Sequence, residues 1–215
     1  MIADLLIRFF VITVSLSLHE AAHAWTALRM GDDTAERMGR LSLNPLAHMD
    51  PLGSMMILFG MPLGWAKPVP VNPANLRNPR AAMPLVSFAG PLSNLLIGIA
   101  GCMVFFIIGA RIGSAGWLHM LRYFIEINFA LAVFNLLPIW PLDGSKIITA
   151  FMSDRVADRY EEKMMQLGVY PLLIIMVFEM VPGGFGIIEL WFRFWRPVLL
   201  PVLSLFSVPP SFLWY

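Results

Sequence analysis

Three long apolar runs constrain the fold of this 215-residue chain more than any other feature of its sequence. They occupy residues 5–28, 85–110 and 117–137. An α-helix rises about 1.5 Å per residue, so each run forms a helix of about 30 Å or more, which is enough to cross the hydrocarbon core of a bilayer. Backbone polar groups in lipid must be hydrogen-bonded within the protein, and each run therefore predicts a membrane-spanning helix.

The remaining apolar segments are shorter and more often interrupted. Residues 167–181 and 191–206 predict a fourth and a fifth crossing. Residues 51–65 are too short for a full span and contain several glycines, which favours a re-entrant or interfacial element. Residues 40–44 alternate polar and apolar side chains, which indicates a short extended segment. The sequence thus predicts an all-α integral membrane protein of about five crossings, with a re-entrant or β-like insertion after the first span.

Composition supports a lipid environment and excludes one class of partner. Apolar residues make up 58% of the chain and charged residues 13%, and the mean hydropathy is +0.72. A soluble protein has about a quarter of its residues charged, so the apolar excess is expected to face the lipid bilayer. The net charge of +1 creates no field that would attract nucleic acid.

The first apolar run carries the strongest chemical signal, an H-E-x-x-H motif formed by His19, Glu20 and His23. Residues four apart lie on one face of a helix, so both imidazoles reach one metal ion at about 2.0–2.1 Å. Glu20 then takes a proton from a water that the metal has made more acidic. The motif also occurs by chance in soluble helices, but each ionisable group inside a membrane helix costs about 2.5–3.5 kcal/mol or more. One bound Zn²⁺ per chain would offset that cost.

A catalytic zinc site needs a third protein ligand, and Asp143 is the best candidate in the sequence. Pro138 and Pro141 cannot continue a helix comfortably, so the third span is expected to unwind just before this carboxylate. Irregular backbone near bilayer depth is tolerated where it lines a buried site. The alternative is that Asp143 only caps the helix that follows. The residues alone leave both interpretations open.

Charge and topology bring the two parts of this site to one side of the membrane. Basic residues cluster between the first and second full spans and again after the third, which predicts that both regions are cytoplasmic. His23 and Asp143 lie near the carboxyl ends of the first and third spans. They meet only if these spans run in the same direction, and the run 85–110 supplies the single crossing between them. The active site is therefore expected to lie towards the cytoplasmic side.

Together these motifs resemble those of the site-2 proteases, which are intramembrane zinc metalloproteases. The resemblance covers about the first 150 residues. It implies a three-helix catalytic core in residues 1–150, with residues 151–215 as further membrane helices of the same domain. It points to the compact branch of the family, because the stretch from Arg40 to Pro73 looks like that of this branch and the chain has no room for the PDZ or CBS domains of many relatives. Besides H-E-x-x-H, the matching segments are Gly90-Pro91-Leu92-Ser93-Asn94, Asn135-Leu136-Leu137-Pro138 and Leu142-Asp143-Gly144.

The resemblance also implies a role for each residue of the site. Glu20 is expected to act as the general base, and the amide of Asn135 is expected to stabilise the oxyanion on the attacked carbonyl. Asn94 is expected either to line the site or to form a hydrogen bond between spans. The implied zinc ligands are His19, His23 and Asp143.

The implied substrate is a transmembrane protein, whose helix must unwind to expose a peptide carbonyl. The extended segments 40–44 and 69–72 are expected to hold the unwound strand by edge pairing, which makes Leu43 and Val69, together with Asn94, candidate substrate-binding residues. Replacement of Leu43 by proline is then expected to impair cleavage at constant zinc content.

Two other functions are compatible with polar residues inside a membrane. A metal transporter would place acidic and histidine sites along a path, whereas this chain concentrates them at one depth. A catalytically silent relative that binds membrane proteins would not need Glu20. The short chain, without a targeting segment, favours a prokaryotic plasma membrane. The substrate, the pathway and the oligomeric state are not specified by these patterns.

Overall fold

The computed structural model describes residues 2–59, 64–108, 115–180 and 186–209. Within these ranges the regular structure is helical and contains no strand; Met49 and Ala66 form an isolated antiparallel bridge. The α-helices of the described part are α1 (Ile2–Arg29), α2 (Thr34–Arg37), α3 (Pro51–Leu58), α4 (Pro79–Ile108), α5 (Ala115–Asn135), α6 (Gly144–Ile147), α7 (Asp154–Leu167), α8 (Tyr170–Met180) and α9 (Ile187–Leu205).

Three of these helices are long and apolar enough to cross a membrane, namely α1, α4 and α5. Large apolar side chains on their outer faces are exposed, including Phe10 at 60%, Leu96 at 56% and Phe106 at 59%. Such surfaces are stable in lipid and would be costly in water. For the described residues, the prediction of an all-helical protein with several candidate membrane-spanning helices is confirmed.

The three long helices form one bundle in which α4 contacts both α1 and α5. Two glycines of α4 allow a close approach to α5. A Cβ at Gly98 would lie 2.7 Å from Phe129, and one at Gly101 would lie 2.8 Å from Ile125. Both of these α5 side chains are fully buried. The short distance between the helices is therefore set by the absence of side chains on one face of α4.

Helix α4 begins at Pro79, whereas the proline- and asparagine-rich sequence of residues 66–84 predicts an extended loop over the whole segment. Proline is well tolerated in the first turn of a helix, where its missing N–H has no intrahelical partner to lose. Asn78 precedes the helix, and its side-chain oxygen accepts a hydrogen bond from the backbone N–H of Ala81 at 3.2 Å. The expected loop was therefore too long by more than a helical turn.

The described residues of the insertion between α1 and α4 are mostly irregular and lie against α1, while residues 60–63 of the predicted re-entrant segment lie outside the described residues. Its helix α3 has eight residues and packs on α1. The segment around Leu43, expected to be extended, forms no strand. The bridge at Met49 and Ala66 is extended by a hydrogen bond from the Lys67 N–H to the His48 carbonyl, at 2.8 Å. Among its described residues, the insertion is thus β-like only at this one pairing.

The two C-terminal helices do not confirm five crossings. Helix α8 has 11 residues, about 17 Å, which is too short to span a bilayer alone. Helix α9 carries Glu189, Arg193 and Arg196, and it is not among the apolar candidate spans of the described residues. It packs instead on the bundle, where the Trp191 indole N–H donates to the Val133 carbonyl at 2.7 Å. The segment 181–185 between the two helices lies outside the described residues.

Candidate active site

The two histidines of α1 face each other in the interior of the bundle. Their Nε2 atoms lie 3.0 Å apart, and the rings meet edge to face with centroids 4.6 Å apart. His19 is 4% exposed and His23 is 8% exposed. The spacing of four residues therefore produces the common face that the sequence predicted.

Hydrogen bonds on the other side of each ring fix which nitrogen carries the proton. The Nδ1 atom of His23 lies 2.7 Å from the Val86 carbonyl, which can only accept, so this nitrogen is the donor. The Nδ1 atom of His19 lies 2.6 Å from Oδ1 of Asn94 and donates to it. Both Nε2 atoms are then unprotonated in the neutral rings, and their lone pairs point towards each other. Such an arrangement requires a proton or a metal cation between them.

The orientation of Asn94 is itself set by a buried network. Asn128 donates from Nδ2 to the Phe124 carbonyl at 2.8 Å, which leaves its Oδ1 as an acceptor. Asn94 donates to that Oδ1 at 2.8 Å, so its own Oδ1 faces His19. Asn128 also donates to the Ser15 hydroxyl, and Ser15, Asn94 and Asn128 are all fully buried. Side chains from all three long helices thus determine the orientation of one imidazole.

Asp143 completes the cluster from the irregular segment after α5. Its Oδ2 lies 3.1 Å from His19 Nε2 and 3.3 Å from His23 Nε2. It precedes the short helix α6, but its side chain makes no capping hydrogen bond there. A Cβ at Gly144 would collide with the backbone of Leu136 and Leu137, so glycine permits the tight path that brings Asp143 inward.

The charge of Asp143 follows from its neighbours. Burial alone would raise the pKa of its carboxyl group, but positive charge on the imidazoles of His23 and His19, supplied by a proton shared between them, outweighs burial and holds this pKa well below its usual range. The group is therefore a carboxylate at neutral pH, with lone pairs and no proton to donate. Three acceptor atoms consequently converge on one point.

This donor set fits a zinc ion. One atom each from His19, His23 and Asp143 lies within 4.8 Å of the others, and the specific separations are 3.0–3.3 Å. Tetrahedral ligands at about 2.0–2.1 Å from zinc are about 3.3 Å apart, and two histidines with one carboxylate are a common catalytic set. Gly90 on α4 lies against both rings, and a Cβ there would overlap them. The space beside the rings is thus kept free by glycine.

Glu20 lies at the edge of this cluster and is half-buried. Its Oε2 accepts a hydrogen bond from the backbone N–H of Val69 at 2.7 Å. Val69 belongs to residues 66–72, which we call the strap. The strap joins the insertion to the region before α4 and passes beside the cluster. The carboxylate of Glu20 is thereby fixed on the strap side of the two imidazoles.

A cavity of about 170 Å³ lies between the metal cluster and the strap. Asn135 lines it, and one amide N–H of Asn135 donates to the Leu131 carbonyl of its own helix at 3.0 Å. Val69 also lines it, whereas Leu43 is 69% exposed and is not part of the lining. Asn94 lies behind His19 rather than in the cavity wall. The remaining lining includes His19, Glu20, His23, Val71, Asp143 and Lys146.

Several residues near the site were missed or left unassigned by the sequence. The Ser15 and Asn128 contacts depend on how α1, α4 and α5 pack, which no local pattern records. The mixed charges of residues 146–163 predict a solvated face, but Lys146 lines the cavity, and its ammonium lies 5.6 Å from the centre of the Trp140 ring. His48 is buried and donates to the Ser42 carbonyl.

The comparisons with known proteins agree with this geometry. The model of peptidase family M50 matches residues 107–178, which include α5 and Asp143. "Putative zinc metalloprotease YwhC" of Bacillus subtilis is 40% identical over 187 residues, which cover 83% of each chain. "Putative zinc metalloprotease Rip2" of Mycolicibacterium smegmatis is 30% identical over 139 residues, or 61% of this chain and 51% of the relative.

A more distant relative is archaeal. "Zinc metalloprotease MJ0392" of Methanocaldococcus jannaschii is 24% identical over 176 residues, which cover 81% of this chain and 43% of the relative. No solved structure gives a significant match. The similarity to YwhC extends over most of both chains and therefore carries the assignment to a family.

Proposed function

Because the chain belongs to peptidase family M50, the site-2 protease family whose motifs its sequence resembles, we propose that it is an intramembrane zinc metalloprotease. It hydrolyses peptide bonds within or near transmembrane segments of membrane proteins. One observation carries this proposal. Two unprotonated imidazole nitrogens and a carboxylate converge beside Glu20, inside a bundle whose long helices are apolar enough to cross a membrane.

His19, His23 and Asp143 hold one Zn²⁺ in this proposal, and the zinc metalloprotease names of the relatives support the choice of metal. A bound zinc ion supplies Lewis acidity, which polarises a carbonyl and makes a water acidic near neutral pH. The two histidines bind through Nε2, because Asn94 and Val86 occupy their Nδ1 atoms. Asp143 supplies the single negative charge of the ligand set.

Glu20 and Asn135 perform the proton transfer and charge stabilisation. Glu20 takes the proton of the attacking water and passes it to the leaving amine. Its Oε2 is bonded to Val69, so Oε1 is the atom that handles the proton. Asn135 lines the cavity and uses only one of its two amide N–H hydrogens in the described contacts. The second is suited to stabilise the developing oxyanion.

The proposal also covers the direction in which the helices cross the membrane and the number of domains that they form. Helices α1 and α5 run in the same direction with α4 between them, and the basic residues at their carboxyl ends put the catalytic end on the cytoplasmic side. Helix α3 forms part of a re-entrant or interfacial element. The regions of α8 and α9 supply the remaining crossings of about five, and α8 needs neighbouring residues for this because its 11 residues are too short alone. Residues 151–215 belong to the same domain as the core, since α9 packs on α5.

The substrate enters as an unwound segment of a transmembrane helix. The strap has no helix in residues 67–72, its last residue Asn72 has an extended backbone, and the strap borders the cavity, which supports edge pairing with the substrate backbone. Leu43 lies outside the cavity lining, so its proposed contact is with a more distant part of the substrate. In the described residues there is one group of three potential metal ligands, which favours a protease over a transporter with a path of sites.

Cleavage of a panel of transmembrane peptides by the detergent-purified protein tests this function. The wild type is compared with Glu20→Gln, and bound zinc is measured in both. We expect cleavage by the wild type only, with equal zinc in the two proteins. Equal cleavage by Glu20→Gln, or a folded wild type that takes up no zinc when the metal is supplied, would contradict the proposal.

A further inference from the structure

The strap has few backbone donors, because prolines occupy several of its positions. Pro68 and Pro70 interrupt it, and Pro73 follows it. Proline has no N–H, so residues 68–73 carry only three backbone donors. These are the N–H groups of Val69, Val71 and Asn72.

Two of the three donors bind carboxylates that belong to α1 or to the turn after it. The Val69 N–H donates to Oε2 of Glu20 at 2.7 Å, and the Asn72 N–H donates to Oδ2 of Asp32 at 2.7 Å. In the described part of the chain, the N–H of Val71 has no partner. Val71 nevertheless lines the catalytic cavity and is half-buried. Val71, with its free donor, therefore borders the space that a substrate backbone would cross in the proposed function.

The ends of the strap are fixed to the rest of the protein. Asp32 is fully buried and also accepts hydrogen bonds from the Thr34 N–H at 3.1 Å and the Asn75 amide at 3.0 Å. At the other end, the Arg40 guanidinium donates to the Lys67 carbonyl at 2.5 Å. These two anchors hold the middle of the strap, and hence the Val69 N–H, at a set distance from Glu20.

We infer that the strap divides its three backbone donors between positioning of the general base, anchoring and substrate binding. Val69 is a positioning residue that holds the Glu20 carboxylate with Oε1 free for the proton transfer. Asn72 anchors the strap through Asp32. Val71 donates its N–H to a backbone carbonyl of the unwound substrate. This inference rests on the proposed function, because it assigns the substrate contact of the same site.

Amide hydrogen exchange tests the division of donors without any activity measurement. Overlapping peptides across residues 68–73 of the detergent-solubilised full chain report three amide hydrogens. We expect two slow hydrogens and one fast one in the wild type. Glu20→Ala should accelerate Val69 alone, and Asp32→Ala should accelerate Asn72. Three fast hydrogens in the wild type, or no change in Glu20→Ala, would overturn the inference.

Kinetics of two proline variants test the functional difference between neighbouring donors. Val69→Pro removes the donor to Glu20 and should lower kcat about 10- to 100-fold at unchanged KM, because a misplaced catalytic group costs rate. Val71→Pro removes one donor from the same segment and should raise KM about tenfold, with kcat little changed. Both variants should retain zinc.

The possible failures can be told apart. If the wild type cleaves, Glu20→Gln does not, and Val69→Pro has the kcat of the wild type, the inference about the strap is wrong while the proposed function stands. Equal loss of kcat in both proline variants would mean that the strap has only a structural role. If Glu20→Gln cleaves as fast as the wild type, the proposed function itself fails. The exchange measurement remains decisive if a proline variant does not fold.

Discussion

Each imidazole of the cluster depends on a partner from a neighbouring helix. The Asn94 amide holds His19, and it is held in turn by Asn128 and Ser15. A buried amide in such a chain has no alternative partner in lipid or water, so its orientation is well defined. The hydrogen bond also makes Nε2 a better ligand, because the Nδ1 proton is shared with an acceptor.

At the residue scale we therefore predict that Asn94→Ala lowers zinc affinity about 10- to 100-fold, which is typical for loss of a hydrogen-bond partner of a metal-binding histidine. Competition with a chelator measures the affinity. Ser93→Ala is the matched control, since the Ser93 hydroxyl donates only to the Gly90 carbonyl of its own helix. Equal affinity in Asn94→Ala and Ser93→Ala would show that the amide does not support the site.

At the scale of elements, the strap depends on the ionisation of Asp32. Burial alone would raise the pKa of Asp32, but hydrogen bonds from Thr34, Asn72 and Asn75 outweigh burial and lower it below the ordinary value. A lowered pKa in the folded state stabilises the protein above the unfolded pKa, about 3.9, and this stabilisation is lost as pH falls through the folded pKa.

We predict that Asp32→Ala lowers the free energy of unfolding by about 2 kcal/mol at pH 7, since several hydrogen bonds to a buried carboxylate are lost. The difference between wild type and variant should be constant from about pH 5 to 8 and should shrink below about pH 4. Thermal unfolding in detergent at several pH values measures it. A difference that grows towards low pH would contradict this account of the strap.

Contacts within one element could be predicted from the sequence, whereas most contacts between elements could not. The facing imidazoles follow from spacing along one helix, and the inward path of Asp143 was anticipated from Pro138 and Pro141. The contact of Asn94 with His19 and that of Val69 with Glu20 join residues far apart in the chain, so they depend on packing between elements. The early start of α4 was missed because Pro79 resembles a loop residue unless its place in the first turn is known.

At the scale of the whole molecule, the parallel directions of α1 and α5 determine which surfaces face each compartment. The region after α1 should be cytoplasmic, and the start of α5 should lie on the opposite side. The native cysteine, Cys102, is fully buried in the bundle. It should therefore contribute little to labelling by a membrane-impermeant maleimide. Labelling of a variant with one added cysteine then reports on the added cysteine.

We predict that Arg37→Cys is labelled only when the cytoplasmic face is accessible, as in inverted vesicles. Trp117→Cys, at the start of α5, should be labelled in intact cells. Arg37 has a side chain 76% exposed, and Trp117 is 39% exposed, so both positions are open to the reagent once their side is reached. Labelling of both variants from the same side would contradict the proposed topology.

The central claim is that His19 and His23 of α1 and Asp143 after α5 form one zinc site. Zinc content per folded chain after metal loading and removal of free metal tests it most directly, with Asp143→Ala beside Asp50→Ala. Asp50 is a suitable control because its carboxylate caps α3, accepting from the Gly53 N–H at 2.9 Å. We predict about one zinc in the wild type and in Asp50→Ala, and little in Asp143→Ala. A wild type without zinc, or an Asp143→Ala variant that retains it fully, would contradict the claim.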